Sequence, residues 1–326
     1  MKIVTDWRAV APDLHGAAVA IGNFDGLHLG HQALLTATRR QAEAMGAPFG
    51  VVTFEPHPRA FFAPEAPPFR LTPARAKAHI LQEFGVEILH QVDFDAELAA
   101  MTPEAFVDRV LVEGLGISHL AAGADFRFGA GRTGDMAFLG RVGPERGFSV
   151  QSVPLIEGPQ GVELSSSAAR RALAAGRPEE AARILGRPHR IEGVVSKGDQ
   201  RGRTIGFPTA NIGLDGLQPL AFGVYAVRAR LAKEPGEIGA GVEEDQGGRG
   251  PLWRGVANLG LRPTFAGAAP RLEVHLFDVE ENLYDRTLIV EMIAFLRPER
   301  KFDGLEALKA QIQADSQEAR RLLAEA

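Results

Sequence analysis

AVAIGNFDGLHLGHQALL, residues 18–35, runs a short apolar stretch into a glycine-bearing turn and then into a helical pattern. AVAI (18–21) reads as a buried strand, and HQALLTATRRQAEAMGA (31–47) sets Leu34, Leu35 and Thr38 on one helical face. Between them Gly22, Gly26 and Gly30 let the backbone turn tightly and leave room for a ligand to approach. The helix that begins near His31 then offers free N–H groups and the positive end of its dipole to an anion.

The same alternation continues downstream. GVVTF (50–54), VEILHQV (86–92), SHLAAG (118–123) and FSVQSVP (148–154) read as strands with helices between them. Two of these helices are marked by Thr72–Pro73 and Thr102–Pro103 as N-cap and first helical residue. Strands separated by helices imply right-handed crossovers and a parallel sheet covered on both faces, a doubly wound α/β domain with its site beyond the carboxyl ends of the strands.

From about residue 189 the period changes. GVYAVRARL (223–231), RLEVHLFDV (271–279) and TLIVEMIAFL (287–296) read as strands with no long helix between them, which predicts a small antiparallel barrel. The boundary falls near LGRP (185–188), giving domains 1–186 and 187–326. KEPGEIGAGVEEDQGG (233–248) has little to bury and reads as a hairpin insertion in the barrel. A C-terminal helix follows, with Asp303 as N-cap and Glu306 three residues on.

Composition narrows the function classes. A chain of 326 residues, 45% hydrophobic and 24% charged, is globular and long enough for about two domains. A net charge of −5 without a long Lys/Arg run argues against nucleic acid as the main partner. No stretch approaches the roughly 18 consecutive apolar residues of a membrane span, and the N-terminus lacks an apolar signal core, so a soluble cytoplasmic protein is expected. Cysteine is absent, which removes disulfides, thiolate catalysis and cysteine-ligated metals. No long apolar helix demands a partner; a monomer is the default expectation and oligomerisation stays open.

His28 and His31 stand at the mouth of the helix. They can donate to phosphate oxygens and stabilise negative charge that grows during substitution at phosphorus. H-x-x-H can also present two ligands to zinc, though no third ligand follows in a catalytic-zinc pattern. Simple packing is the remaining alternative, and the two residues alone leave the three open.

GNFDGLHLGH (22–31) resembles the H-x-G-H signature of the nucleotidyltransferase superfamily, in the form found in bacterial bifunctional riboflavin kinase/FAD synthetases. VTFEPHP (52–58), GADFRFG (123–129) and LSSSAAR (164–170) follow in that family's order, and GRTIGFPTANI, GVANLGLRPTF and LEVHLFD complete a kinase half. The resemblance covers nearly the entire chain. It departs at Ser167, where the family usually has threonine, and in the length of the insertion after Lys233; Arg170 matches the family arginine.

The resemblance implies a Rossmann-like nucleotidyltransferase domain (1–186) followed by a β-barrel riboflavin kinase domain (187–326). The first would move AMP from ATP to FMN, and the second would phosphorylate riboflavin. His28 and His31 would contact the ATP phosphates, with Gly22, Asn23, Phe24, Asp25 and Gly30 shaping the cradle and Ser166, Ser167 and Arg170 closing on the triphosphate. His57, Asp125 and Phe128 would meet the flavin. In the kinase half, Glu273 would be the base, Thr209 and Asn211 would position Mg²⁺, and Gly193, Lys197, Gly198 and Gly202 would cover ATP, with Arg297 helping to fix the flavin. A class I aminoacyl-tRNA synthetase relative shares an H-x-G-H-like motif, but its lysine-containing second motif and a basic RNA surface are missing. A flavin-storage module without turnover is the third reading, against which the intact histidines and PTAN count.

Overall fold

The computed structural model describes residues 1–197, 206–214, 216–232, 251–264 and 267–325. The chain separates into two compact units, Met1–Pro67 with Pro73–Ser166 and Pro68–Thr72 with Ser167–Ala326.

In the first unit, strands β1 (Lys2–Val4), β2 (Ala18–Ile21), β3 (Phe49–Glu55), β4 (Ile88–Asp93), β5 (His119–Gly123) and β6 (Ser149–Val153) form one sheet in the order β1-β4-β3-β2-β5-β6. Every pairing is parallel. The helices between them are α1 (Leu29–Met45), α2 (Pro58–Phe62), α3 (Ala74–Glu83), α4 (Ala96–Ala100), α5 (Pro103–Ala105) and α6 (Met136–Glu145). Side chains of successive strand residues enter opposite cores: Ala18 and Ala20 pack with Leu34, Leu35 and Leu81, whereas Val19 and Ile21 pack with Val107, Val110 and Leu139. A sheet buried on both faces needs apolar runs rather than alternation, as the AVAI strand has.

Strand order reverses between β2 and β5, which are neighbours through Ala18↔His119 and Ala20↔Ala121. The turn after β2 and the loop after β5 therefore leave the sheet side by side, at the crevice where open α/β sheets bind ligands.

Thr102 caps α5 as expected, its hydroxyl accepting from Ala105 N at 3.2 Å. The chain then continues as a π-helical stretch, Phe106–Gly114, closing with Leu115 N to Val110 O at 2.8 Å. The other Thr–Pro start is corrected: α3 begins at Ala74, with Pro73 rather than Thr72 in the cap position and no side-chain cap bond. Thr72 is instead buried.

The second unit contains α7 (Ser166–Ala174, all but its first residue), α8 (Pro178–Leu185), β7 (His189–Val194), β8 (Ala210–Gly213), β9 (Gly223–Leu231), β10 (Trp253–Thr264), β11 (Gly267–Leu276), β12 (Thr287–Pro298) and α9 (Leu305–Glu325). The sheet runs β7-β12-β9-β10-β11-β8 and is antiparallel. Its two edges approach each other where Ser196 N donates to Asn211 O at 2.9 Å. Tyr225, Val227 and Ala229 of β9 point into the inner core, and Val224 and Ala226 point outward beneath Ala319 and Leu323 of α9.

α7 and α8 belong to this inner core through Ala169, Ala172, Leu173, Ile184 and Leu185. Packing thus parts the chain at 166/167, upstream of the 186/187 expected from the change of sequence period. α9 starts at Leu305 directly after Gly304, whose φ is +111°, so Asp303 does not occupy the cap position. The insertion at 233–248 lies outside the described residues.

Candidate active sites

In the first unit the turn after β2 is bent hard. Phe24 (φ +50°) and Leu27 (φ +44°) adopt the left-handed region that side-chain-bearing residues avoid, on either side of Gly26 (φ +81°). Both side chains are fully buried, so the core compels the backbone into this shape. Ser166 reinforces it by donating from Oγ to Asp25 O at 2.8 Å.

The turn delivers His28 to the N-cap of α1, where its Nδ1 accepts from His31 N at 3.3 Å. An accepting Nδ1 places the proton of the neutral ring on Nε2, which is then a donor. The two imidazoles stack with centroids 3.7 Å apart and planes 25° apart. Gly30 permits this, because a Cβ there would stand 3.0 Å from His28 Nδ1 and 3.1 Å from Cε1. Burial, followed by the charges of His28 and Lys77, holds His31 well below the ordinary histidine pKa. It is a neutral imidazole near pH 7, suited to donate a hydrogen bond rather than a full charge. Its Nδ1 is buried without a hydrogen-bond partner.

Gly22 and Asn23 lead into the turn, Asn23 exposed and Asp25 buried. His57 stands after β3 and caps α2, its Nδ1 accepting from Arg59 N at 3.0 Å. Asp125 lies exposed in the loop after β5. Phe128 is a core residue, stacked on Phe126 at 5.7 Å and tilted against Phe106 at 5.5 Å, so its faces are already covered by protein rings.

No group of three or more His, Cys, Asp or Glu able to hold a metal ion occurs among the described residues. Sequence reading passed over Lys77, which is buried on α3 and joins Asn23, Thr53 and Glu55. The available signal was its place in AKAHIL, between Ala76 and Ala78 and one turn from Ile80 and Leu81, all buried.

In the second unit, strand register does the assembling. Glu273 of β11 pairs with Asn211 of β8 on one side and with Asn258 of β10 on the other. Directly opposed residues share a face, so the expected base and one expected metal ligand stand side by side. Leu272 and Val274 face the inner core and Glu273 faces away, as the alternation predicts. Asn211 is 6% exposed, and its Nδ2 donates to Thr209 O at 3.4 Å.

Ser167 is exposed near the start of α7, and Arg170 donates from Nε to Phe69 O at 2.7 Å. Gly193 sits where a Cβ would meet Ile212 Cγ2 at 2.5 Å, so it serves the close approach of β7 and β8. Lys197 is exposed, 6.0 Å from the Tyr284 ring. Gly198 and Gly202 lie outside the described residues. Arg297 is engaged by Asp315 of α9 through Nε (3.0 and 3.1 Å) and Nη2 (2.8 Å), which fastens the helix to β12.

Residues 10–168 match the FAD synthetase family and residues 185–323 the riboflavin kinase family. A bifunctional riboflavin kinase/FMN adenylyltransferase of Pseudomonas fluorescens is 43% identical, covering 99% of this chain and 98% of its own. Proteins of the same description from Escherichia coli K12 and Bacillus subtilis are 44% and 36% identical, each covering 94% of this chain and 92% of its own. A solved structure from Streptococcus pneumoniae described as a macrolide-efflux protein superposes with a TM-score of 0.80 at 28% identity, over 98% of both chains. That description concerns the Streptococcus protein; among the described residues here no helix is long and apolar enough to cross a membrane.

Proposed function

The chain belongs to the bifunctional riboflavin kinase/FMN adenylyltransferase family, and from that premise we propose how its residues divide the two reactions. One reaction moves the γ-phosphoryl group of ATP onto the primary alcohol of riboflavin, giving FMN. The other moves AMP from ATP onto the FMN phosphate, giving FAD and pyrophosphate.

The observation that carries the division is what each unit offers. The first presents two histidines at a helix N-terminus, His31 held neutral by burial, and the second presents a strand carboxylate beside an amide. FMN phosphate is already an anionic nucleophile, so adenylyl transfer needs alignment and stabilisation of charge on the phosphates. His28, through Nε2–H, and His31 provide donors where that charge grows, and the N–H groups of α1 add to them. Gly22, Asn23, Phe24, Asp25 and Gly30 shape the turn, and Ser166 adds a phosphate contact in this reading. His57 and Asp125 serve the flavin.

Riboflavin's alcohol is a poor nucleophile and requires a base. Glu273 accepts its proton as the oxygen attacks phosphorus. Thr209 and Asn211 offer oxygen donors, the class a small hard cation prefers, and the Asn211 amide nitrogen is turned toward Thr209 O, which leaves Oδ1 for the ion. Bound there, Mg²⁺ would offset the charge of the transferring phosphoryl group. Adenylyl transfer is assigned to the expected first domain, 1–186, and phosphorylation to 187–326, whose barrel core is completed by α7 and α8. In this reading the protein acts in the cytoplasm on small molecules, without a nucleic-acid or membrane partner, with the monomer as default and the oligomeric state open.

Incubating the purified chain with riboflavin, ATP and Mg²⁺ and separating the flavins tests this. FMN should form first and FAD second. FMN without FAD would sink the adenylyl half, unconverted riboflavin would sink the kinase half, and a parallel incubation with FMN supplied in which no FAD forms would sink the adenylyl half independently.

A further inference from the structure

Lys77 is 1% exposed, on the face of α3 that enters the core with Ile80 and Leu81. Burying an ammonium forfeits its hydration, which the fold offsets only by supplying an anion and further acceptors. Glu55 Oε1 lies 2.9 Å from Nζ, and Nζ donates to Thr53 Oγ1 at 3.0 Å and to the Asn23 carbonyl at 3.2 Å. An apolar replacement of a buried ion pair is often as stable or more so, so stability does not account for this arrangement.

Where the acceptors come from does account for it. Thr53 and Glu55 belong to the carboxyl end of β3, two residues short of His57, while Asn23 belongs to the turn after β2. Thr53 Oγ1 also donates to the Asn23 carbonyl, at 3.3 Å, so that one oxygen is gripped twice. The peptide it belongs to leads into Phe24, the first residue of the turn in the left-handed region. The Phe24 ring lies 5.2 Å from His31, which stacks on His28.

We propose that Lys77 is a positioning residue of the adenylyl-transfer site: its ammonium holds the Asn23 carbonyl against β3, and so keeps the turn and the histidine pair at its end in the geometry that meets the triphosphate. The proposal rests on the assignment of His28 and His31 to adenylyl transfer. It is consistent with the neutral state of His31, to which the charge of Lys77 contributes after burial and His28.

The test compares full-length K77M, K77M/E55Q and H28A/H31A, each assayed for conversion of FMN to FAD and of riboflavin to FMN. Methionine keeps an unbranched side chain, one atom shorter than lysine and without its charge, and the double variant leaves no buried carboxylate unpaired. Both Lys77 variants should lose about 10- to 100-fold in kcat for FAD formation with KM for ATP within about threefold, because what is lost is alignment in the transition state rather than ground-state binding. FMN formation should stay at the unmodified level. A wild-type kcat in K77M/E55Q would reduce Lys77 to a counter-ion for Glu55 and overturn the proposal. Loss in KM alone, or equal loss of both reactions in the double variant, would overturn it too. H28A/H31A separates the two possible failures: if it still makes FAD, the histidine assignment falls, and if it does not while the Lys77 variants do, only the role of Lys77 falls.

Discussion

The first unit holds the histidines proposed for adenylyl transfer on a bent turn, and the second holds the carboxylate proposed as base on a straight strand. Left-handed φ values at Phe24 and Leu27 cost about 1–3 kcal/mol each and persist because the core grips both side chains. Glu273 and Asn211 need no such strain, since the β8–β11 ladder aligns them by register alone. The contrast follows the chemistry. Charge stabilisation on phosphate needs donors converging from a helix end, which only a turn can supply. Proton removal needs one carboxylate at a fixed distance from an alcohol, which a strand supplies directly.

The largest expected effect concerns where the strand-built unit ends. Leu173, Ile184 and Leu185 of α7 and α8 are buried in the barrel's inner core, and each contributes about 1.5–3 kcal/mol of burial. Their combined loss rivals the whole stability of a typical domain, about 5–15 kcal/mol. A fragment 187–326 should therefore be unfolded and inactive as a riboflavin kinase, whereas 167–326 should fold and form FMN. Circular dichroism and flavin chromatography on both fragments check this, and an active 187–326 would show that the barrel closes its core without the two helices.

Next in size is H28A/H31A. Losing one preorganised donor to developing charge costs about 10²- to 10³-fold, so losing two should depress FAD formation by about 10⁴-fold or more. FMN should accumulate at the normal rate, because Glu273, the base proposed for its formation, belongs to the other unit. Normal FAD output would break the comparison, since the strained turn would then carry no chemistry.

Glu273→Gln comes third. It keeps size and hydrogen-bonding reach but removes the basic carboxylate, and FMN formation should fall about 10²- to 10⁴-fold. Conversion of supplied FMN to FAD should be unchanged. Parallel loss of both reactions would point to instability, and unchanged FMN formation would rule Glu273 out as the base.

How much of this was legible in the sequence also differs between the units. The parallel sheet announced itself: AVAI, SHLAAG and their neighbours are apolar runs set between helical patterns, and five of the six observed strands overlap them, the three-residue edge strand β1 giving no such run. In the barrel, GVYAVRARL matches β9 residue for residue, but β10 was read only as a motif. Its glycines interrupt the alternation for reasons seen only in three dimensions; a Cβ at Gly255 would collide with the His275 carbonyl of β11. The change of sequence period places the boundary after the helix pair α7–α8, whereas their apolar faces pack into the barrel core, because amphipathicity shows that a helix has a buried face and not what covers it. The ion pairs of Lys77 and Arg297 are illegible in the sequence for one reason. A charged residue's partner, Glu55 for one and Asp315 for the other, is distant in sequence and leaves no periodic trace.

The smallest expected effect separates the units by pH. His31, His90 and His119 all lie in the first unit, and burial is the leading cause holding each below the ordinary histidine pKa. His90 is the clearest case: fully buried on β4, with neither ring nitrogen hydrogen-bonded, it is pushed down to about 4, with a secondary contribution from His15. A histidine that stays neutral when folded and takes a proton near pH 6.5 when unfolded favours the unfolded chain as pH falls from there toward its folded pKa. It contributes nothing to stability above about pH 7 and costs progressively more below. At pH 5 the cost for His90 alone is about 2 kcal/mol. His90→Leu is close in volume and does not titrate, so the stability difference between variant and parent should shift in the variant's favour by about that amount between pH 7 and pH 5. Trp7 lies in the first unit and Trp253 in the second, and the chain has no other tryptophan, so a Trp253→Phe background leaves Trp7 as sole fluorescent reporter of denaturant unfolding there. Subtracting the pH 7 difference cancels whatever the substitution does to packing. A difference that stays constant with pH would mean that His90 titrates alike in the folded and unfolded chain, and the acid sensitivity of the first unit would have to be sought in His31 and His119.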